Sequence, residues 1–404
     1  MQRIVITGLG VVSPIGNKVE DFLANLFAGR GGIGTIAFPF RGAEARFPGA
    51  AVKDFRIEDY IDAKKAPMLD RFAQFAVAAA IQAFQDSGLT LTPETAERMA
   101  VITGTGVGGQ NTLEESYYKL LDTNGSGRVH PFTIPRLMVN AGSSQISMAL
   151  GITGPGFTVA SACASAIHAM GVTLSMLRSG LIDAAITGGA EACMTLGTLK
   201  GWEALRVMAP DLCRPFSAGR AGMVLGEGAA MFVLETEEKA KKRGAKIYAE
   251  FAGFGMSSDA KDITTPDAAG AARAITACLH DARLAPEEID YINAHGTGTH
   301  INDAMETAAV KTALGERAKT VALSSSKSLF GHALGAAGAL EMLATILAVR
   351  EDIAPPTINY QEADPACDLD YVPNKARPMP IKVALNNSFA FGGLNASVAV
   401  KKWA

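Results

Sequence analysis

The chain has 404 residues, of which 48% are hydrophobic and 19% charged, with a net charge of −3 at neutral pH. That is ample apolar material for a large core, at a length suited to two or three domains or one duplicated unit. A nearly balanced charge with no Lys/Arg run argues against nucleic acid as the main partner, and no charge-free apolar stretch of about 18 residues is present to span a bilayer.

The chain opens on a strand, with neither the basic start nor the apolar core of a signal peptide, so the expected location is the cytoplasm. From there, Val- and Ile-rich runs alternate with longer helical patterns. Arg3–Thr7, Ala100–Thr103, Ala184–Thr187, Ala229–Leu234, Tyr291–Asn293 and Thr320–Leu323 read as strands. Arg71–Asp86, Ala164–Arg178, Ala268–Ala282, Met305–Leu314 and Ala336–Arg350 read as helices. Strands alternating with helices imply α/β layers. Ala164–Arg178 is apolar nearly all round, through Ile167, Met170, Leu174 and Leu177, and so belongs inside the protein.

The two halves echo each other. F-Q-D-S-G-L (84–89) leads into the strand A-V-I-T and a G-T-G loop; L-H-D-A-R-L (279–284) leads into D-Y-I-N-A and H-G-T-G-T. A second strand then runs into S-A-C163 and a buried helix in the first half, and into S-S-S-K-S-L-F-G-H332 and a buried helix in the second. Two similar units are implied, 1–245 and 246–404, joined near residues 236–250. Lys239–Arg243 reads as a solvated helix end.

Five cysteines (163, 193, 213, 278 and 367) stand at wide spacing, without C-x-x-C and without a Cys/His cluster at metal spacing, so no metal is expected. Most buried cysteines are simply small apolar residues. Cys163 differs by its place in S-A-C-A-S (161–165), between a strand and the head of a buried helix. The partial positive charge and free N–H groups of a helix N-terminus favour a thiolate there. His295 lies in N-A-H-G-T-G-T (293–299), at a strand exit, with the hydroxyls of Thr297 and Thr299 on the same loop. His332 lies at the start of a helix rich in small residues. Either histidine alone reads as structural; with Cys163 at the echoed position, both become candidates for catalysis. His168 and His280 fall within helices and read as structural. N-N-S-F-A-F-G-G-L-N-A (386–396) reads either as a plain hairpin or as the source of a backbone N–H for an oxyanion hole. G-L-G-V-V-S-P-I-G (8–16) is not a dinucleotide loop, because Ser13 stands at the third glycine position and Pro14 follows.

These four motifs, S-A-C-A-S, N-A-H-G-T-G-T, S-S-S-K-S-x-x-G-H-x-L-G-A-A-G and N-x-S-F-x-F-G-G-x-N, occur in that order, and together the chain resembles the elongating type II β-ketoacyl-[acyl-carrier-protein] synthases from Arg3 to about Val400. The stretch 199–218 is especially similar to the nodulation protein E branch. The resemblance implies a thiolase-like fold, with duplicated αβαβα layers related by a pseudo-twofold axis, in a homodimer. It implies acyl transfer from a carrier protein to Cys163, then decarboxylation of malonyl-carrier protein and Claisen attack on the acyl-Cys. His295 and His332 would stabilise the enolate, supported by Lys327 and Glu341. The backbone N–H groups of Cys163 and Phe391 would form the oxyanion hole, with the Phe391 ring as a gate. Thr297 and Thr299 would hold the pantetheine arm, and Trp202 would border the acyl pocket. No resident cofactor is implied, because the phosphopantetheine arm arrives on the carrier. Lys64, Lys65, Arg128 and Arg206 would meet that acidic carrier, on a patch thinned by Pro67 and Met68. Ala390 and Leu394 replace the usual Gly and Thr of the gate loop, and Ala218 and Ala221 stand where acids are common. A degradative thiolase would carry a second reactive Cys near the C-terminus, a starter-unit synthase Asn in place of His332, and a chain-length factor would lack the nucleophile.

Overall fold

The computed structural model describes residues 2–40 and 42–403. Ten strands form one sheet. In chain order they are β1 (Ile4–Val12), β2 (Met99–Gly104), β3 (Gly156–Val159), β4 (Ala184–Glu191), β5 (Gly228–Thr236), β6 (Ala249–Ser258), β7 (Tyr291–Asn293), β8 (Ala322–Ser324), β9 (Val383–Ala390) and β10 (Leu394–Lys402). The spatial order is β8-β7-β9-β10-β6-β1-β5-β4-β2-β3. Read outward from the centre, each half lays down its first, fifth, fourth, second and third strand. The directions agree as well. In each half the first two pairings are antiparallel and the outer two parallel. The halves join where Ile4–Ile6 of β1 pair with Ala249–Phe251 of β6. The echo in the sequence is thus a duplication of topology.

Among the longer helices are α1 (Arg71–Ser87), α2 (Ser165–Arg178), α3 (Ala268–Ala282), α4 (His300–Leu314) and α5 (Ala337–Glu351). α1 lies outside the first half on β1, β4 and β5, and α3 lies outside the second half on β6 and β10 and against α4. α2 and α5 form the middle layer, and each touches strands of both halves. This position explains their composition. From Ala337 to Val349 every residue of α5 is buried, and a helix without a wet face has no use for an amphipathic stripe. The boundaries read from periodicity lie within one or two residues of those observed, except that β1 runs on to Val12, β4 runs on to Glu191, and α4 starts at His300, where Thr299 accepts a bond from the Asn302 N–H. Among the described residues, no helix is long and apolar enough to cross a membrane.

The glycines of G-L-G (8–10) lie inside β1, where they let α1 approach the sheet. A Cβ on Gly10 would sit 1.9 Å from the Ala79 carbonyl oxygen, and one on Gly8 would sit 2.1 Å from that of Ala83. The obstacles are helix backbone, which cannot swing aside. Gly10→Val is therefore expected to lower stability by about 3 kcal/mol or more, measured by urea unfolding. Gly34→Ala, where a Cβ meets nothing within 4 Å, should stay within about 0.5 kcal/mol of the parent.

Candidate active site

The segments that follow β3, β7 and β8 carry Cys163, His295 and His332 into one cleft, as expected where chains leave an α/β sheet. Cys163 follows β3, and His332 holds the corresponding place after β8. Both sit beside a left-handed backbone: Ala162 has φ 50° and Gly331 has φ 70°. A non-glycine residue rarely adopts this conformation. Here it is held by a closed local network. Ser165 Oγ donates to the Ala162 carbonyl at 2.6 Å and accepts the Ser161 N–H at 2.9 Å. Ser161 Oγ in turn bonds His168 Nδ1 at 2.8 Å.

Cys163, His295 and His332 line one cleft of about 380 Å³, together with Trp202, Arg206, Thr297, Thr299 and Phe391. The two imidazoles face each other edge to face, with centroids 5.4 Å apart. Their hydrogen bonds fix the tautomers. His332 Nδ1 accepts the Leu334 N–H at 3.1 Å, so its proton is on Nε2. His295 Nδ1 lies 3.3 Å from Lys327 Nζ, a donor, which leaves its proton on Nε2 as well. Burial, reinforced by the Lys327 charge, pushes both imidazoles well below the ordinary histidine range. They are neutral N–H donors at physiological pH.

Lys327 is wholly buried and has used all three of its donors. It bonds Glu341 Oε1, the His295 carbonyl at 2.5 Å and His295 Nδ1. Burial pushes the Glu341 carboxyl up to about 7, with Lys327 opposing.

Cys163 differs from expectation in one respect. α2 begins at Ser165, and the thiol is buried just ahead of it. Burial pushes that thiol up to about 11, although Lys327 and a hydrogen bond from the Phe391 N–H pull it down. Desolvation outweighs the helix end, and the resting group is a thiol rather than a thiolate. Phe391 occupies the turn between β9 and β10, so the Gly-Gly segment is a hairpin and also delivers an N–H to the sulfur. Its ring packs on Trp202 at 5.6 Å between centroids. Thr297 and Thr299 hydroxyls bond each other at 2.9 Å in the cleft. Of the basic residues, Arg206 lines the cleft, whereas Lys64, Lys65 and Arg128 are exposed and do not line it.

Several further residues shape the site. Glu306 accepts the N–H groups of His295 at 2.8 Å and Gly296 at 2.7 Å. Asp303 accepts that of Gly298 at 3.2 Å. The guanidinium of Arg220 donates to the carbonyls of Thr299 and His300, each at 3.2 Å, and is paired with Asp364. Glu191 accepts from Thr105, Gly106, Val107 and Gly335. The sequence offered one signal for Asp303 and Glu306: acids three apart, on a helix that follows a glycine-rich loop whose N–H groups need acceptors.

Residues 1–240 match the family described as beta-ketoacyl synthase, N-terminal domain, and residues 248–361 match its C-terminal domain. The chain belongs to the β-ketoacyl synthase family. It is 45% identical over 401 residues to nodulation protein E of Rhizobium sp. (strain N33), covering 99% of each chain. It is 44% identical over 411 residues to 3-oxoacyl-[acyl-carrier-protein] synthase 2 of Synechocystis sp., covering 100% of this chain and 98% of that one. The structure described as the ishigamide ketosynthase/chain length factor superposes with a TM-score of 0.94 at 38% identity, covering all of both chains. The chain is thus a condensing enzyme on a thiolase-like fold.

With the thiol pushed up to about 11, alkylation of Cys163 by iodoacetamide should keep rising beyond pH 8.5, by roughly tenfold per pH unit between 7 and 10. Rates read by mass spectrometry that level off near pH 7 would show that burial does not control this group.

Proposed function

We propose that the chain elongates an acyl chain by two carbons through decarboxylative Claisen condensation, using an acyl-Cys163 intermediate and malonyl-carrier protein. The observation that carries this reading is the meeting of one buried thiol with two neutral Nε2–H imidazoles in a single cleft. The name of the Synechocystis relative supports an acyl carrier protein as the donor of both substrates. The Thr297 and Thr299 hydroxyls are placed to hold its pantetheine arm, and Arg206 to meet its acidic surface. Lys64, Lys65 and Arg128 would extend that contact outside the cleft.

In the loading step, Cys163 Sγ attacks the thioester carbonyl. The developing oxyanion takes the N–H of Phe391 and that of Cys163 itself, each such donor contributing about 3 kcal/mol. The tetrahedral adduct expels the pantetheine thiolate, which takes up the proton lost from sulfur. Malonyl-carrier protein then occupies the vacated cleft. As its carboxylate leaves as CO2, the electron pair delocalises onto the thioester oxygen. A pair of neutral N–H donors already aimed at that oxygen stabilises the enolate without reorganisation. The enolate carbon attacks acyl-Cys163, the Phe391 N–H again donates to the oxyanion, and the Cys163 thiolate leaves and is reprotonated from solvent. No metal or resident cofactor is required by these steps. Lys327 keeps His295 in the donor tautomer, and Glu341 compensates its charge.

Trp202, half-buried against Phe391, narrows the path to the sulfur and sets which acyl chains enter. Acyl-carrier proteins of graded chain length should label Cys163 and no other residue, read by mass spectrometry. His332→Ala should lower CO2 release from malonyl-carrier protein by about 10²-fold or more while acyl loading falls far less. Equal loss of both steps would contradict the division of labour.

The assembly that suits this enzyme is a homodimer. β3 ends the sheet with an open edge, and Phe157 on it and Met148 on the helix 141–150 packed against it leave apolar surface exposed. An open strand edge flanked by apolar side chains is a surface that needs covering. The related structure described as a ketosynthase/chain length factor supports pairing of such chains. Sedimentation should give twice 42.1 kDa, and Phe157→Asp should shift it toward the monomer.

A further inference from the structure

Glu191 ends β4 and is completely buried, yet it touches neither the thiol nor an imidazole. Its four donors come from both halves of the molecule. Oε2 accepts the Gly106 N–H at 2.6 Å and the Gly335 N–H at 2.9 Å, while Oε1 accepts the Thr105 hydroxyl at 2.8 Å and the Val107 N–H at 3.4 Å. Three of the four neighbours are backbone N–H groups, which only donate, and with the Thr105 hydroxyl they favour the carboxylate against the burial that pushes its pKa up. Two backbone N–H groups from opposite halves share one oxygen, and their loops nearly touch there. A Cβ on Gly335 would lie 2.1 Å from the Gly106 nitrogen, and one on Gly106 would lie 2.9 Å from Glu191 Oε2. Only two glycines permit this approach.

The Gly335 end matters for chemistry because of what precedes it. His332–Ala333–Leu334–Gly335 is a tight turn in which Leu334 takes φ 43°, a conformation costly for a branched side chain. That strain aims the Leu334 N–H at His332 Nδ1. Some contact must hold the turn against relaxation. The Ala333 carbonyl is tied locally, accepting the Ala336 N–H at 2.9 Å. The Gly335 N–H is tied across the molecule, to Glu191.

We propose that Glu191 is a positioning residue that clamps the strained turn after His332 to the half carrying Cys163, so that the His332 Nε2–H stays aimed at the enolate oxygen during decarboxylation. It acts through His332 and is not a catalytic residue. The idea rests on the condensing reaction proposed above and assigns that reaction a dependence on a side chain outside the cleft. A buried carboxylate with four donors costs more in desolvation than an apolar substitute would. It fits a requirement for fixed geometry better than one for stability, and a displacement of about 1 Å at a reacting centre costs roughly 10²-fold in rate.

Two substitutions separate reach from charge. Glu191→Asp keeps the charge but is one methylene shorter and cannot hold both loops. CO2 release from malonyl-carrier protein should fall roughly 10- to 100-fold, acyl transfer to Cys163 should stay within about threefold, and the pH profile of Cys163 alkylation should not move. Glu191→Gln keeps an oxygen for Gly106 and Gly335 and turns its NH2 toward the Thr105 oxygen. CO2 release should then stay within about threefold of the parent. The alkylation profile should shift to lower pH, since the Glu191 charge is among the influences that raise the thiol. Equal losses of loading and CO2 release in Glu191→Asp, or a loss of CO2 release in Glu191→Gln as large as in Glu191→Asp, overturns the proposal. Should Glu191→Asp not fold, Thr105→Val deletes one donor and should give a smaller loss confined to CO2 release; loss of both steps alike again overturns it. The parent protein is the control for the reaction itself. If it neither acylates Cys163 nor releases CO2, the condensing reading fails and the role of Glu191 is not what has failed.

Discussion

The buried ammonium of Lys327 is the interaction on which the site depends. A lysine with no exposed surface must find an anion and satisfy three N–H donors, or the fold expels it. Glu341 supplies the charge from α5, and His295 supplies a carbonyl and a ring nitrogen from the loop after β7. The lysine therefore ties the middle helix, the histidine loop and the His295 tautomer together in one contact set. Removing either charge would leave the other buried without a partner, a loss of about 3–5 kcal/mol. The same charge helps keep both imidazoles neutral, which is the state in which they can donate to a forming enolate without giving up a proton.

The loop carrying His295 shows how far this logic extends. Nearly every backbone group from His295 to His300 has an assigned partner: Glu306 takes two N–H groups and Asp303 a third, while Lys327, Ser325, Cys213, Gly222 and Arg220 donate to carbonyls. A segment of two glycines and four threonine or histidine neighbours has little conformational preference of its own. Its geometry is imposed from outside by buried polar side chains. The duplicated fold places a matching loop, Thr105 to Val107, in the other half, and there a single carboxylate, Glu191, does the holding.

Much of this was legible in the sequence, and the limits are physical. Strand and helix periods survive in the chain because burial demands them, so α2 and α5 could be read as internal before any fold was known. Cys163, His295 and His332 stood out because each follows a strand and precedes a glycine-rich loop or buried helix, and because the halves repeat. Lys327 and Glu341 entered only through family resemblance, since an isolated Lys or Glu in a sequence reads as a solvated residue. Glu191 and Arg220 were missed for the same reason, since most of their partners are backbone N–H and C=O groups, which leave no mark in side-chain pattern; Asp303 and Glu306 left only their spacing behind a glycine-rich loop. The protonation of Cys163 was not legible because a helix end is visible in sequence whereas depth of burial is not. Desolvation of the thiol grows with depth, and here it outweighs both the helix and Lys327.

That depth of burial bears on how the nucleophile works. A thiol that rests protonated is protected from adventitious alkylation and oxidation, because reactivity follows the thiolate. It becomes reactive when substrate supplies what the empty cleft lacks. A thioester carbonyl seated against the Phe391 N–H develops negative charge on its oxygen rather than leaving it on sulfur, so the oxyanion hole does part of the work that a low thiol pKa would otherwise do. Neutral imidazoles and a protonated thiol are then two consequences of one choice, deep burial. Deep burial disfavours every isolated charge in the cleft until a substrate brings charge of its own, and fixed N–H donors wait at the positions where that charge appears.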